Sequence, residues 1–165
     1  MTRADLGGVA FLPISTWDAA LIEAFHDHYT HSGGPPPGKK LAWRIFTFGR
    51  PRGWIVLGEP AFKLAPRRRL GLDDARPRPS TVCCVMYRVE QRIADECSAS
   101  AILRAWHPVA AAAWTARYGF APVHWETMVS PGEVQCLVPG ACFRRAGYRS
   151  LGMTTGWGAR RPAGH

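Results

Sequence analysis

Apolar positions along the chain recur with two periods. Residues 41–48 alternate, with Leu41, Trp43 and Ile45 against Ala42, Arg44 and Phe46, which predicts a strand. The turn-forming Arg50-Pro51-Arg52-Gly53 follows, and Trp54–Leu57 reads as a second strand, so the pair forms a hairpin. Val9–Leu12 predicts an earlier strand, Val82–Val89 is the most sustained strand pattern, and 123–129 forms another after Pro122. A last strand is expected over Tyr148–Met153. The helical period appears at Ala20, Leu21, Ala24 and Phe25, which predicts a helix from Trp17 to about His28, capped by Ser15 or Thr16. A second helix starts at the cap Ser98 and buries Ile102, Leu103 and Trp106. Pro108 removes an amide, so a kink or restart is expected there before Ala110–Tyr118 continues and Gly119 ends the helix. A short helix is expected over 140–146.

Between these elements, the glycine- and proline-rich segment 32–38 and the basic segment 63–80 read as loops. The order is strand, helix, hairpin, strand, helix, strand, helix, strand. It predicts one domain over residues 1–158 and a loose basic tail over 159–165. The fold class is α/β (α+β), with a central mixed twisted sheet flanked by helices. The strand–helix–strand crossover predicts that 82–89 and 123–129 lie parallel and adjacent, spanned by the 98–118 helix.

Composition narrows this picture. A hydrophobic fraction of 47% in 165 residues suits a packed core rather than a disordered chain. No apolar run approaches the roughly 18 residues of a membrane span, and the N-terminus lacks a signal-peptide pattern, so no membrane is expected and the location expected is cytoplasmic. Five cysteines, an odd number without a CxxC pair, suit a reducing compartment. Charge is the first functional signal. Residues 39–78 hold eleven of the 21 Lys and Arg against three carboxylates. Guanidinium forks match phosphate oxygens, so the expected partner is a nucleic acid; a solvated arginine-rich surface is the plain alternative. The expected contacts are Lys39, Lys40, Arg44, Arg67, Arg68, Arg69, Arg144 and Arg145.

Candidate chemistry sits at four places. His26, Asp27, His28 and His31, beside Tyr29, are the densest set of metal-competent side chains and suit iron or zinc, against the alternative of a solvated helix end. Tyr29 is a candidate general acid. Glu126, in the 123–129 strand, is a candidate base for an amine; a surface-facing carboxylate is the alternative. Ser100, at a helix start, is a candidate nucleophile or phosphate anchor, against a capping or packing role. Among the tryptophans, Trp43, Trp54, Trp125 and Trp157 are candidates to stack on a flipped base, although most should be core.

The C-terminal third adds a resemblance. Trp114–Pro122 and Glu126–Val129, then Gly140-Ala141-Cys142-Phe143-Arg144-Arg145-Ala146-Gly147-Tyr148 and Gly152-Met153-Thr154-Thr155-Gly156-Trp157-Gly158, resemble motifs of the DruA family. Cys97–Leu103 is similar to its helix start, and His28-Tyr29-Thr30 with Pro37-Gly38 is similar to the entry motif of the Mom family, phage proteins that hypermodify adenine in DNA. The resemblance implies an acetyltransferase-like (GNAT) fold and transfer of an acyl- or carbamoylmethyl-type group to the adenine N6 amine, with iron as cofactor. A non-catalytic DNA-binding component of a phage-defence system is the alternative it offers, and a small-molecule N-acyltransferase is a third. The chain departs from the pattern at Phe143, where the family has tyrosine, and at Gly147-Tyr148, Ser130 and Cys97. Where an acetyl-CoA loop would be glycine- and arginine-rich, Asp95 and Glu96 stand and would repel a pyrophosphate, so acetyl-CoA is disfavoured.

Overall fold

A computed structural model describes residues 4–6, 8–28, 34–60, 80–89, 97–131, 134 and 137–152. Six strands form a single sheet whose spatial order follows the chain: β1 (Ala4–Leu6), β2 (Val9–Ile14), β3 (Lys40–Thr47), β4 (Arg50–Gly58), β5 (Thr81–Val89) and β6 (His124–Thr127). Neighbours from β1 to β5 pair antiparallel. β5 and β6 pair parallel, from Thr81 opposite His124 to Cys84 opposite Thr127. The mixed α/β class and the expected crossover are therefore observed, with α2 (Ala99–Tyr118) joining the two parallel strands.

The helices cover opposite faces of the sheet. α1 (Ala19–His26) turns Leu21, Ala24 and Phe25 onto Ala42, Val56 and Met86. On the other face α2 and α3 (Ala141–Arg145) bury Ile102, Leu103, Trp106, Ala110, Trp114 and Phe143 against Phe11, Trp43, Ile45, Ile55, Leu57, Val82 and Cys84. Trp106 is the hub of this larger core. It meets Trp43 edge-on at 5.7 Å and Trp125 at 5.6 Å. Each fully buried Leu or Ile here contributes about 1.5–3 kcal/mol of transfer free energy.

Several boundaries differ from those expected. The first helix begins at Ala19, and its cap is Asp18, whose carboxylate accepts the Leu21 amide at 3.1 Å. Ser15 instead forms the preceding turn, its hydroxyl accepting the Trp17 amide. The hairpin turn is Phe48-Gly49, with Phe48 at a φ of 48°, so Arg50–Gly53 belongs to β4. β1, a three-residue strand, is too short to leave a pattern. Pro108 does not restart α2. The helix runs unbroken for 20 residues because Pro108 sits on its exposed side, while the residues around it pack on the sheet. Ser98 and Gly119 cap it as expected; the Ser98 hydroxyl accepts the Ala101 amide, and Gly119 takes a φ of 81°.

No strand forms over 148–152, and Met153 lies outside the described residues. The Tyr148 amide is instead used by the Phe143 carbonyl as α3 closes, so it is not available to a ladder. The basic loop at 63–80 lies outside the described residues except for Ser80, and so does the 159–165 tail. No helix among the described residues is long and apolar enough to cross a membrane.

The β4–β5 register slips by one residue. Val56 faces Met86 but Leu57 faces Cys84, so Val85 has no counterpart in β4. As a result Val85 and Met86 both pack toward α1, while Cys84 and Tyr87 face α2. The parallel ladder with β6 ends one residue before this bulge, at Cys84 and Thr127, where the Thr127 hydroxyl donates to the Cys84 carbonyl at 3.0 Å. The bulge and the end of the pairing therefore coincide between the edge strand β6 and its neighbour β5, so the parallel pair expected at the middle of the sheet lies at its edge.

Candidate functional site

Strand alternation now assigns a face to Glu126. Trp125 packs into the core beneath α2, so its neighbour Glu126 projects toward the α1 side, in register with Cys83. His28, one residue past the cap of α1, is buried at 6% exposure. Glu126 and the end of α1 thus share one face of the sheet. Ser100 does not join them. It is buried in the first turn of α2, on the opposite face, and its hydroxyl lies 3.1 Å from that of Ser98, which fits the packing role better than a nucleophile.

The described members of the histidine set do not gather. His26 and Asp27 are exposed while His28 is buried, and the Asp27 carboxylate lies 3.6 Å from Arg88. Among the described residues no three His, Cys, Asp or Glu side chains form a metal-sized group. His26, Asp27 and His28 therefore do not fit an iron ion between them. Tyr29 and His31 lie outside the described residues.

A shallow cavity of about 220 Å³ opens on the α1 side, with Glu23, Asp27, Arg44, Trp54 and Arg88 in its lining. Arg44 stacks on Trp54, its guanidinium carbon 5.2 Å from the ring centre. Arg88 also donates to the Ala24 carbonyl at 3.2 Å, near the negative end of the α1 dipole. Two cations and two carboxylates thus meet over an aromatic floor.

The basic residues are divided between different tasks and faces. Lys39 pairs with Glu59 at 3.3 Å, an exposed ion pair of small energetic weight. Lys40 donates to the Pro36 carbonyl at 2.8 Å and lies 5.4 Å from the centre of the Trp17 ring. Its backbone is tied to α2 through the Tyr118 hydroxyl. Arg52, counted with the basic segment, is buried at 3% exposure. Arg144 and Arg145 are exposed on α3, across the sheet from Arg44. Arg67, Arg68 and Arg69 fall outside the described residues.

One group does not stand out in the sequence. His107, in the middle of α2, lies 2.9 Å from the Tyr148 hydroxyl. The two rings are 5.4 Å apart, and Trp125 meets the His107 ring edge-on at 5.0 Å. All three are half-buried. Burial lowers the His107 pKa, so its imidazole is neutral near pH 7. Burial, with the nearby thiols of Cys84 and Cys83, pushes the Tyr148 phenol far up, so it stays protonated. A neutral imidazole accepting from a protonated phenol satisfies both states. Phe143 lies 5.3 Å from Tyr148 and 5.8 Å from Tyr87, so the position where the resembled motif carries a tyrosine is here a packed core position. Tyr87 itself is tied down by a 2.6 Å hydrogen bond to the Ala99 carbonyl at the start of α2. The sequence signal for this group is weak: His107 stands beside Pro108, and only the proline carries a local rule.

Trp43 is core and Trp157 lies outside the described residues, which leaves Trp54 and Trp125 as half-buried stacking candidates on opposite faces. No family model matches the chain, and no curated protein or solved structure aligns with it significantly.

Proposed function

We propose that this chain is a GNAT-like transferase that modifies a base amine in DNA, in the manner implied by the Mom resemblance. The observation that carries the reading is the coincidence of the Val85 bulge with the end of the β5–β6 parallel ladder at Cys84 and Thr127. The reading places a donor and a flipped base together where these two strands stop pairing, between the edge strand β6 and its neighbour β5. Glu126 stands on β6 one residue before the ladder ends, on the α1 side that also holds buried His28.

In this reading the adenine N6 nitrogen attacks the electrophilic carbon of an activated carbamoylmethyl-type or acyl donor. The new N–C bond forms as the donor's leaving group departs with its electron pair, and Glu126 takes the N–H proton. A placed base contributes roughly 10²–10⁴-fold. No step runs through iron, because the described donors do not converge on one. The basic side chains hold phosphates.

Nucleoside mass spectrometry of DNA from cells expressing the chain tests the proposal. A mass-shifted deoxyadenosine is expected from the wild type, and its loss is expected in Glu126→Gln with DNA affinity retained. An unchanged modification level in Glu126→Gln moves the chemistry elsewhere. A second reading, a DNA-binding component without catalysis, is favoured by Phe143. The family's hydroxyl is absent there, and the ring serves the core. Tight DNA binding by the wild type without any modified nucleoside decides for that reading.

A further inference from the structure

The face formed by α2 and α3 combines two features that the proposed chemistry does not use. The first is a concentration of exposed cations. Between Ala99 and Gly152 the sequence has two carboxylates, Glu126 and Glu133. Glu126 projects to the other side of the sheet, and Glu133 lies outside the described residues. The same stretch exposes Arg104 on α2, Arg144 and Arg145 on α3, and Arg149 just after it. The Arg104 guanidinium donates to the Arg145 carbonyl at 2.7 Å, which draws α2 and α3 together and sets these cations side by side.

The second feature is aromatic. One helical turn beyond Arg104 is His107, joined to Tyr148, the residue before Arg149. With Trp125 they form a contiguous set of half-buried rings amid the arginines. The His107–Tyr148 hydrogen bond holds both rings in place, and burial leaves the imidazole uncharged.

We propose that the α2–α3 face is a binding surface for single-stranded nucleic acid, with bases stacking on the His107, Trp125 and Tyr148 rings and phosphates meeting Arg104, Arg144, Arg145 and Arg149. Arginines around an aromatic platform are the arrangement that grips an unpaired strand without regard to sequence, because every base has a face to stack and every nucleotide a phosphate. Duplex DNA hides its base faces, so its phosphates bind here but its bases do not stack. Three rings and four cations on one side suit a strand of a few nucleotides. The proposal shares a nucleic-acid partner with the proposed function but not its site, which lies across the sheet.

Fluorescence anisotropy with a labelled oligo-dT of about 12 nucleotides, within the usual site sizes, tests it at several salt concentrations. The intact chain should bind the single strand more tightly than a duplex of the same length. Replacing Arg104, Arg144, Arg145 and Arg149 together by Ala should flatten the plot of log affinity against log salt by roughly 3, at about 0.7 for each phosphate no longer neutralised. The fourfold Lys variant should keep the slope. Ultraviolet crosslinking of the same oligonucleotide, followed by peptide mass spectrometry, should mark peptides holding His107, Trp125 or Tyr148. It needs no substitution in the half-buried rings. An unchanged slope in the Ala variant, equal affinity for duplex, or crosslinks confined to residues 39–78 would each overturn the surface. These readouts do not depend on modification chemistry. Binding here with no modified nucleoside sinks the proposed enzyme and leaves the surface standing; a modified nucleoside with no binding here does the reverse.

Discussion

At Gly53 the backbone of β4 passes close against that of β5. This residue stands opposite Val89 and opposite Ile45, at a φ of 146°. A methyl group there would run into the backbone carbonyl oxygen of Arg88, and it would also come within 3.1 Å of the Val89 Cα. Neither is the far end of a flexible side chain, so the strands themselves must part. Gly53→Ala therefore combines backbone strain of about 1–3 kcal/mol with an overpacking cost of about 1–3 kcal/mol, roughly 2–6 kcal/mol in all. For a domain of this size each kcal/mol lowers Tm by about 2–4 °C, so the expected drop is roughly 4–24 °C. Gly119→Ala is the control. Gly119 also has positive φ but has nothing within 4 Å of the added methyl, so only the left-handed backbone cost of about 1–2 kcal/mol applies. Thermal melts by circular dichroism, with urea titrations to confirm equal m-values, compare the two. Equal melting temperatures for the two variants would mean that β4 and β5 do not approach as described. The same parting would move Arg88 away from Asp27 and Ala24, so the α1-side cavity should change with it.

Thr127→Val keeps the shape of the side chain but removes its bond to the Cys84 carbonyl. It should cost about 0.5–1.5 kcal/mol in urea unfolding, and a neutral result would mean that this hydrogen bond does not pin the end of the parallel ladder. Asp18→Ala removes the cap of α1 and should cost about 1 kcal/mol by the same measurement, whereas Ser15→Ala should cost less; the reverse order would restore Ser15 as the cap. His107 is held neutral, with its folded pKa below the unfolded value near 6.5. The unfolded chain therefore takes up the proton first, and the His107 contribution to stability is full above pH 6.5 and declines as pH falls toward the folded value. His107→Gln should flatten the acid side of a stability-against-pH curve between neutral pH and pH 5; an unaltered curve would place the titration on another group.

Long apolar patterns are legible in the sequence. β3, β5 and α2 lie within a few residues of their expected bounds because each buries an unbroken set of side chains, and that burial leaves a period in the sequence. The three-residue β1 leaves none, whereas the four-residue β6 is legible from the run after Pro122 and lies within its expected bounds of 123–129. The expected turn at Arg50–Gly53 fails for a specific reason. Proline and glycine there mark a bulge and a close strand approach, where Gly53 faces Ile45 and the register then skips to Pro51 facing Phe46. The candidate site is half readable. Glu126 can be named but not given a face, since alternation needs one neighbour whose burial is known, and Trp125 supplies it only in three dimensions. His107 and Tyr148 are 41 residues apart, and no local pattern joins them. The charge density of residues 39–78 reads as one surface, but Arg52 is buried and Arg44 stacks on Trp54.

The strands lie side by side in the order in which they occur along the chain, and this has a consequence for how the molecule is made. As the polypeptide emerges during synthesis, each strand from β2 to β5 finds its immediate predecessor already available for antiparallel pairing. Loop closure then costs little for β1–β2 and for the tight β3–β4 hairpin, so the sheet can grow from one edge to the other like a zip. β6 is the exception. It can add to β5 only after α2 has been made and has crossed the sheet, because Thr81 must meet His124. Until then β5 is an open edge, with Cys84 and Val82 uncovered by Trp106. The interval between the synthesis of β5 and the docking of α2 and β6 is when a nascent chain would be most exposed to wrong pairing.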